Sequence, residues 1–136
     1  MWSKRPTDFS KEVNADHRVM AIKTAIDLDK RLVAKTPVGD PSKWASSPPK
    51  GYTGGTARAN WLPSIGSPMT TPIDVQDKSG AATIGKAVAT FSAAPEFPVL
   101  YITNNVAYIG ALNNGWSKQA PALFFESAIA EVNSVL

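Results

Sequence analysis

The chain has 136 residues, 43% of them hydrophobic, which is enough for one domain of ordinary size with a core of its own. Cysteine is absent, and this excludes disulfides, thiolate metal sites and a cysteine nucleophile. The formal net charge of +3 is too small, and the basic residues too dispersed, to indicate nucleic-acid binding as the main function.

The first predicted element is a long helix over about residues 7–35. Apolar residues recur along it at intervals of three or four, which places them on the inner side of a helix. The longer row is Ala15, Val19, Ile22, Ile26 and Val33, and the shorter is Ala25, Leu28 and Leu32. Asp27 and Arg31 are spaced for an ion pair along the outer side, and Pro37 ends the helix.

Eleven prolines and nine glycines predict long irregular segments. The first is an extended loop at about 36–56, in which Trp44 and Tyr52 are the only large apolar groups. These two side chains either anchor the loop to its own domain or contact another subunit, and the sequence leaves both possibilities open.

A short strand is predicted over residues 57–65, and turn residues then give a second extended loop at about 62–77, overlapping the end of that strand. Ala57, Ala59 and Trp61 would lie on one side of the strand. A second helix is predicted from Ser79 to Phe91. The residues expected on its inner face are Ala81, Ile84, Val88 and Phe91.

The strongest strand signal covers residues 99–103 (VLYIT), which are mostly β-branched or aromatic and are followed by two asparagines. A short helical or irregular turn over 106–112 leads to a final helix over 121–136. Its expected apolar face is Phe125, Ile129, Val132 and Leu136. The pattern indicates a single α+β domain over residues 1–136, with a long N-terminal helix, a small mostly antiparallel sheet, further helices and long Pro/Gly-rich loops.

The sequence offers little chemistry for an active site. His17 is the single histidine and has no metal-ligating neighbour at suitable helical spacing, so we interpret it as a surface or partner-contact residue. The glycine-rich run at 51–56 lacks the Lys-Ser/Thr ending of a phosphate-binding loop. We therefore expect no catalytic, cofactor-binding or metal-binding residues. No membrane partner is expected either, because no run approaches the ~20 apolar residues of a span.

Two stretches resemble a family of tailed-phage proteins. The first is residues 36–40 (TPVGD) followed, after the loop, by residues 54–61 (GGTARANW). The second is residues 101–109 (YITNNVAYI) followed by residues 115–121 (GWSKQAP). In this order they are similar to the lambdoid tail-component family of neck or tail-completion proteins. The positions that depart from the family's usual residues are Ala107, Asn113, Ala122 and Leu123.

The resemblance implies a structural virion protein without catalysis or cofactor, forming a homo-oligomeric ring, six-fold or twelve-fold, in the neck. Its partners would be copies of itself, the head connector or head-closure protein, and the tail terminator or tail tube protein. DNA would at most pass through the lumen. The protein would lie in the virion after assembly in the host cytoplasm. The candidate subunit-interface or motif residues are Trp44, Tyr52, Arg58, Trp61, Asn104, Asn105, Tyr108, Trp116, Lys118 and Gln119.

Other functions stay open at this point. A tail terminator, which caps the tail tube as a ring, belongs to the same class but has a different position in the particle. A small binding module or hydrolase belongs to another class and would use the glycine-rich loop. Its reactive groups would be Ser46, Ser47 or Lys50. Within the second stretch, Tyr108 and Trp116 are candidates for the core as well as for an interface.

Overall fold

A computed structural model describes residues 6–39, 54–115 and 122–136. These ranges hold five helices and two strands. In chain order they are α1 (Pro6–Lys35), α2 (Thr56–Ala59), β1 (Leu62–Ile65), α3 (Ala81–Ser92), β2 (Leu100–Thr103), α4 (Ile109–Asn113) and α5 (Phe124–Ser134). The predicted α+β fold, with its long N-terminal helix, small antiparallel sheet and C-terminal helix, is confirmed.

The sheet consists of β1 and β2, which pair antiparallel with Leu62 opposite Thr103 and Ile65 opposite Leu100. A two-stranded sheet is marginal in water unless other elements cover it. Here α3 packs against β1 and α1 packs against β2. The helices therefore hold the sheet in place.

The core lies where the second half of α1 meets α5 and the residue before β1. Leu32 and Val33 are buried there together with Trp61, Phe124 and Ala128. The ring of Trp61 also meets the ring of the partly buried Phe125 edge to face, with centroids 5.3 Å apart. Removal of this apolar surface from water is the main force that holds α1 and α5 together.

Helix α3 runs antiparallel to α1 and covers another side of it. Val33 lies against Gly80 at the start of α3, where an added Cβ would come within 2.4 Å of the valine Cγ1. At the other end, the Arg18 guanidinium donates to the carbonyls of Ser92 and Ala94. The early members of the predicted apolar row, Ala15 and Val19, are exposed. Ala15 lies before Arg18 and so beyond the end of α3.

Ion pairs link the outer side of α1 to α5. The predicted pair within α1 is confirmed, since Arg31 Nε lies 3.0 Å from Asp27 Oδ1. Arg31 also contacts Glu131 of α5, and Lys35 lies 2.8 Å from the same carboxylate. These side chains are partly exposed, so the pairs orient the two helices and add little to stability.

The strand predicted over residues 57–65 is wrong in its first half. Residues 56–59 form the helical turn α2 and only residues 62–65 are extended, so the predicted loop at 62–77 also begins later. Gly55 has a left-handed φ of 93°, and the Ala59 N–H donates to its carbonyl, which turns the chain. Ala57 and Ala59 are both buried, and this alternation resembles the pattern of a strand.

Asp77 sets the start and the rotation of α3. Its carboxylate accepts hydrogen bonds from the Gly80 N–H, the Thr83 N–H and the Thr83 hydroxyl at 3.0, 2.9 and 2.8 Å. A carboxylate is favoured at a helix N-terminus, and this one anchors Thr83 on the inner face. Phe91 is buried as predicted, together with Thr83 and Ala87. Of the other predicted residues, Ile84 is partly buried against the core, whereas Ala81 and Val88 are exposed.

The inner face of α5 is also rotated from the prediction. Its buried residues are Phe124, Ala128 and Val132, whereas Ile129 and Leu136 of the predicted face are exposed. The small side chain of Ala128 lets α5 approach α1 closely. The prediction followed the large apolar residues of the helix and so did not place this alanine on the inner face. The displaced isoleucine borders a groove on the surface.

Candidate functional site: an apolar groove on a polar frame

Two side chains from residues 58–61 hold the end of α1. The Arg58 guanidinium donates to the carbonyls of Ala34 and Thr36, at the helix C-terminus where a cation is favoured. The Trp61 indole N–H donates to Thr36 Oγ1 at 2.7 Å, and that hydroxyl donates to the Leu32 carbonyl at 2.6 Å. These bonds position the second half of α1 against the sheet.

The two stretches that carry the family resemblance meet at Asn104. Its side-chain amide donates to the Ala57 carbonyl at 2.9 Å, and its side-chain oxygen accepts from the Val106 N–H at 3.2 Å. The next residue, Asn105, donates to the Met69 carbonyl at 3.1 Å. The bond from Asn104 to Ala57 and the pairing of β1 with β2 join the two stretches into one structural unit.

The described glycines of the glycine-rich run make contacts within the chain. The Gly54 N–H donates to Gln76 Oε1 and the Gly55 N–H to the Val38 carbonyl. A Cβ at Gly55 would approach the Asp77 backbone to 2.6 Å, so glycine is required there. A phosphate-binding loop presents such N–H groups to its ligand instead. Ser46, Ser47 and Lys50 lie outside the described residues.

An open apolar groove is bounded by α1, β2 and α5. It has a volume of about 800 Å³, and sixteen of the described residues line it. On α1 the side chains of Ala21, Thr24 and Ala25 are small and leave space for an occupant. Leu100 and Ile102 of β2 and Phe125 and Ile129 of α5 complete much of the lining. Its volume falls within the ~300–1,000 Å³ of ordinary ligand pockets.

Exposed apolar side chains extend from this groove onto the surface. Met20 is 61% exposed and Ile129 is 49% exposed, and both line the groove. The polar side chains in the lining include His17 and Asn104. Contiguous exposed apolar surface indicates an interaction site, and an open groove of this kind accepts the apolar face of a helix.

The first part of α1, residues 7–20, is here named the leading segment. No residue of this segment with a described side chain is buried. Val13 and Met20 are exposed and stand seven residues apart, so they lie on the same face of the helix. Arg18 ties the segment to the end of α3 through the bonds given above. The exposed apolar face of the leading segment therefore continues the groove towards the start of α1.

Asp29 is a buried acid in the middle of α1 that sequence reasoning missed. Its side chain is fully buried, and neither carboxylate oxygen has a hydrogen-bond partner among the described residues. Burial raises the pKa of Asp29 to about 7, because desolvation disfavours the charged form. Since solvent does not reach the group, we assign it an effect on stability and not on substrate chemistry.

The sequence-predicted candidates that the structure describes are mostly engaged within the chain. Arg58, Trp61, Asn104 and Asn105 make the intramolecular hydrogen bonds given above, and Trp61 is also part of the core. Tyr108 is exposed at the start of α4. The candidates outside the described residues are Trp44, Tyr52, Trp116, Lys118 and Gln119. The groove itself was missed, because its lining comes from three distant parts of the chain.

Comparison with protein-family models, with curated proteins and with solved structures gives no match for this chain. Within residues 6–39, 54–115 and 122–136, no group of three or more His, Cys, Asp or Glu side chains could hold a metal ion. In the same ranges no helix has both the length and the apolar character to cross a membrane. Fold and surface together describe a small α+β protein with an open apolar groove.

Proposed function

We propose that the chain is a structural virion protein of a tailed bacteriophage and forms a ring in the neck, where it completes the tail and joins it to the head. The observation that carries this proposal is the resemblance of residues 36–61 and 101–121 to the lambdoid tail-component family. The order of the two stretches, with a long helix before them and another helix after them, adds to the resemblance.

The contacts between the two stretches support the proposal. The Asn104 side chain of the second stretch donates to the Ala57 carbonyl of the first. Strand β1, which follows the first stretch, pairs with strand β2, which begins the second. The side chains of Arg58 and Trp61 hold the end of α1. The described motif residues thus hold the fold of the chain together.

The surface also suits a ring subunit. A ring with cyclic symmetry needs two different surfaces on each copy, one for each neighbour. We propose the open apolar groove as one of them. Further contacts would be made with the head connector or head-closure protein on one side, and with the tail terminator or tail tube protein on the other.

Removal of the chain from the particle tests the proposal. In a phage whose gene for this chain is cleanly deleted, electron micrographs should show separate heads and tails, and infectivity should be lost. Wild-type chain supplied in trans should restore joined particles, which controls for effects on neighbouring genes. Normal, infectious particles from the deletion would contradict a role in head–tail joining.

The same deletion separates the neck from the terminator position. Tails of normal length that do not bind heads would assign the chain to the neck. Tails of uncontrolled length would assign it instead to the ring that caps the tail tube, because the terminator is the part that stops tube growth. Tail lengths measured from the same micrographs provide this result.

A further inference from the structure

We propose that Asn114 is a site of spontaneous covalent modification, where the side-chain amide is lost and the residue becomes aspartate or isoaspartate. The reaction takes up water and needs no enzyme, so the inference goes beyond the function proposed above and does not rest on it. Asn114 follows α4 directly and lies in the segment that leads to α5. A change in backbone length at this point alters how α5 is held.

The chemistry follows from the glycine after Asn114. The backbone nitrogen of Gly115 loses its proton and attacks the side-chain carbon Cγ of Asn114, so that a new N–C bond closes a cyclic imide. The bond from Cγ to the side-chain nitrogen breaks, and this nitrogen takes up a proton and leaves as ammonia. Water then opens the imide at either carbonyl, which gives aspartate or isoaspartate. Gly115 has no Cβ to shield its nitrogen, and this favours the attack.

The local structure leaves Asn114 open to this reaction. Its side chain is exposed and makes no hydrogen bond within the part of the chain that the structure describes. The Gly115 N–H donates to the Leu112 carbonyl at 3.1 Å, and this bond must open before the nitrogen can attack. Helix α4 has only five residues, and a helix of this length is marginal by itself. Its last turn therefore opens readily.

The fold holds the other asparagines in place. Four of them donate side-chain hydrogen bonds to groups elsewhere in the fold, namely Asn60, Asn104, Asn105 and Asn113. The remaining two, Asn14 and Asn133, lie within α1 and α5, where backbone hydrogen bonds fix the chain. None of these six residues is followed by glycine. Asn114 alone combines a free side chain with a glycine on its carboxyl side.

The modification would weaken the start of α5. The neighbouring Asn113 holds this helix, since its Oδ1 accepts from the Phe125 N–H at 2.9 Å and its carbonyl accepts from the Leu123 N–H at 2.6 Å. Isoaspartate in place of Asn114 adds a methylene group to the backbone directly after this anchor. Phe124, in the first turn of α5, is buried in the core. The added backbone atom therefore disturbs a helix that carries core side chains.

Incubation of the purified, folded chain tests the site. Samples are kept at about pH 7 and about pH 9, and circular dichroism checks that both stay folded. Proteolytic peptides are then analysed by mass spectrometry with electron-transfer fragmentation, which distinguishes isoaspartate from aspartate. Conversion should be at least about tenfold faster at Asn114 than at any other asparagine. It should also be faster at the higher pH, because the attacking nitrogen is deprotonated.

Two matched variants isolate the position. Asn114→Ser should lower the release of ammonia from the folded chain at least about tenfold. Asn133→Ser removes another exposed asparagine and should release ammonia as the wild type does. The isoaspartate form, separated by ion exchange, should show faster hydrogen exchange of the amides at 124–127 than the fresh chain. Asn114→Ser kept under the same conditions should show no such increase.

Other outcomes would overturn the proposal. The assignment of the site fails if Asn114 stays intact in the folded chain, if another asparagine converts as fast, or if Asn114→Ser releases as much ammonia as the wild type. Unchanged hydrogen exchange in the isoaspartate form would refute the effect on α5. None of these measurements depends on the deletion phenotype, so the site and the neck function stand or fall separately.

Discussion

The two halves of α1 differ in burial: other elements cover the second half and leave the first half largely exposed. In the second half, Leu32 and Val33 are buried, and the last turn is held by Arg58 and by Thr36. In the leading segment, Val13 and Met20 are exposed, and Arg18 provides a link to the end of α3. One continuous helix thus serves as part of the core at one end and as an open surface at the other.

The difference teaches that helix length and helix burial have separate causes. Thirty residues continue as helix because the local sequence contains no interruption before Pro37. Only the part opposite α3, α5 and the sheet is buried, since those elements are shorter than α1. Substitutions in the second half should therefore change stability much more than substitutions in the first half.

The largest effect should come from Trp61→Ala. This change removes a buried ring that packs against Phe125 and leaves Thr36 Oγ1 without its indole donor. Loss of a large aromatic side chain from a core costs about 3–5 kcal/mol. Urea unfolding followed by circular dichroism measures the change. A decrease of less than about 1 kcal/mol in the free energy of unfolding would show that the contacts of Trp61 do not hold the second half of α1.

Asp29→Asn should stabilise the protein in a pH-dependent manner. The pKa of Asp29 is raised to about 7 in the folded state from an ordinary value of 3.8. The folded state therefore binds the proton more tightly, and the wild type loses stability as pH rises from about 4 to about 7. The asparagine has no charge to desolvate.

Unfolding of both proteins in urea at pH 4 and pH 8 measures this effect. A pKa change of about three units corresponds to an upper value of ~4 kcal/mol, so a gain of about 2–4 kcal/mol is expected at pH 8. At pH 4 the difference should largely disappear. A variant that is no more stable than wild type at pH 8 would show that the folded protein supplies this carboxylate with a partner.

Arg58→Lys should cost about 1–2 kcal/mol, because an ammonium group cannot reproduce the planar set of donors to the carbonyls of Ala34, Thr36 and Lys78. Lys86→Met, which changes an exposed side chain on α3, is the control and should stay within about 0.5 kcal/mol of wild type. Thermal unfolding compares the two. An Arg58→Lys variant as stable as the control would show that the three hydrogen bonds of the guanidinium do not stabilise the fold.

Val13→Ser should have the smallest effect on stability, within about 0.5 kcal/mol, since the side chain is exposed on the leading segment. Urea unfolding measured at a low protein concentration, where copies do not associate, provides the test. A large loss would mean that the leading segment packs within its own chain, and the contrast between the two halves of α1 would then fail.

Several elements could be predicted from local sequence. The long first helix, the strand before Asn104 and the final helix follow from spacing, β-branched residues and proline positions, and the structure has all three. The strand over residues 57–65 failed in its first half, because Ala57 and Ala59 are buried in a tight turn after Gly55. Every second residue is buried there because neighbouring helices cover the turn, and not because the backbone is extended.

The sequence by itself determined the α+β class and the places where helices and strands occur, because backbone preferences act over a few residues. Only the tertiary structure decided which faces are buried. Thr83 is inside because Asp77 holds it, and Asp29 is buried without a hydrogen-bond partner among the described residues. The groove arises in the same way, since α1, β2 and α5 are far apart in the chain and their facing side chains are set by packing.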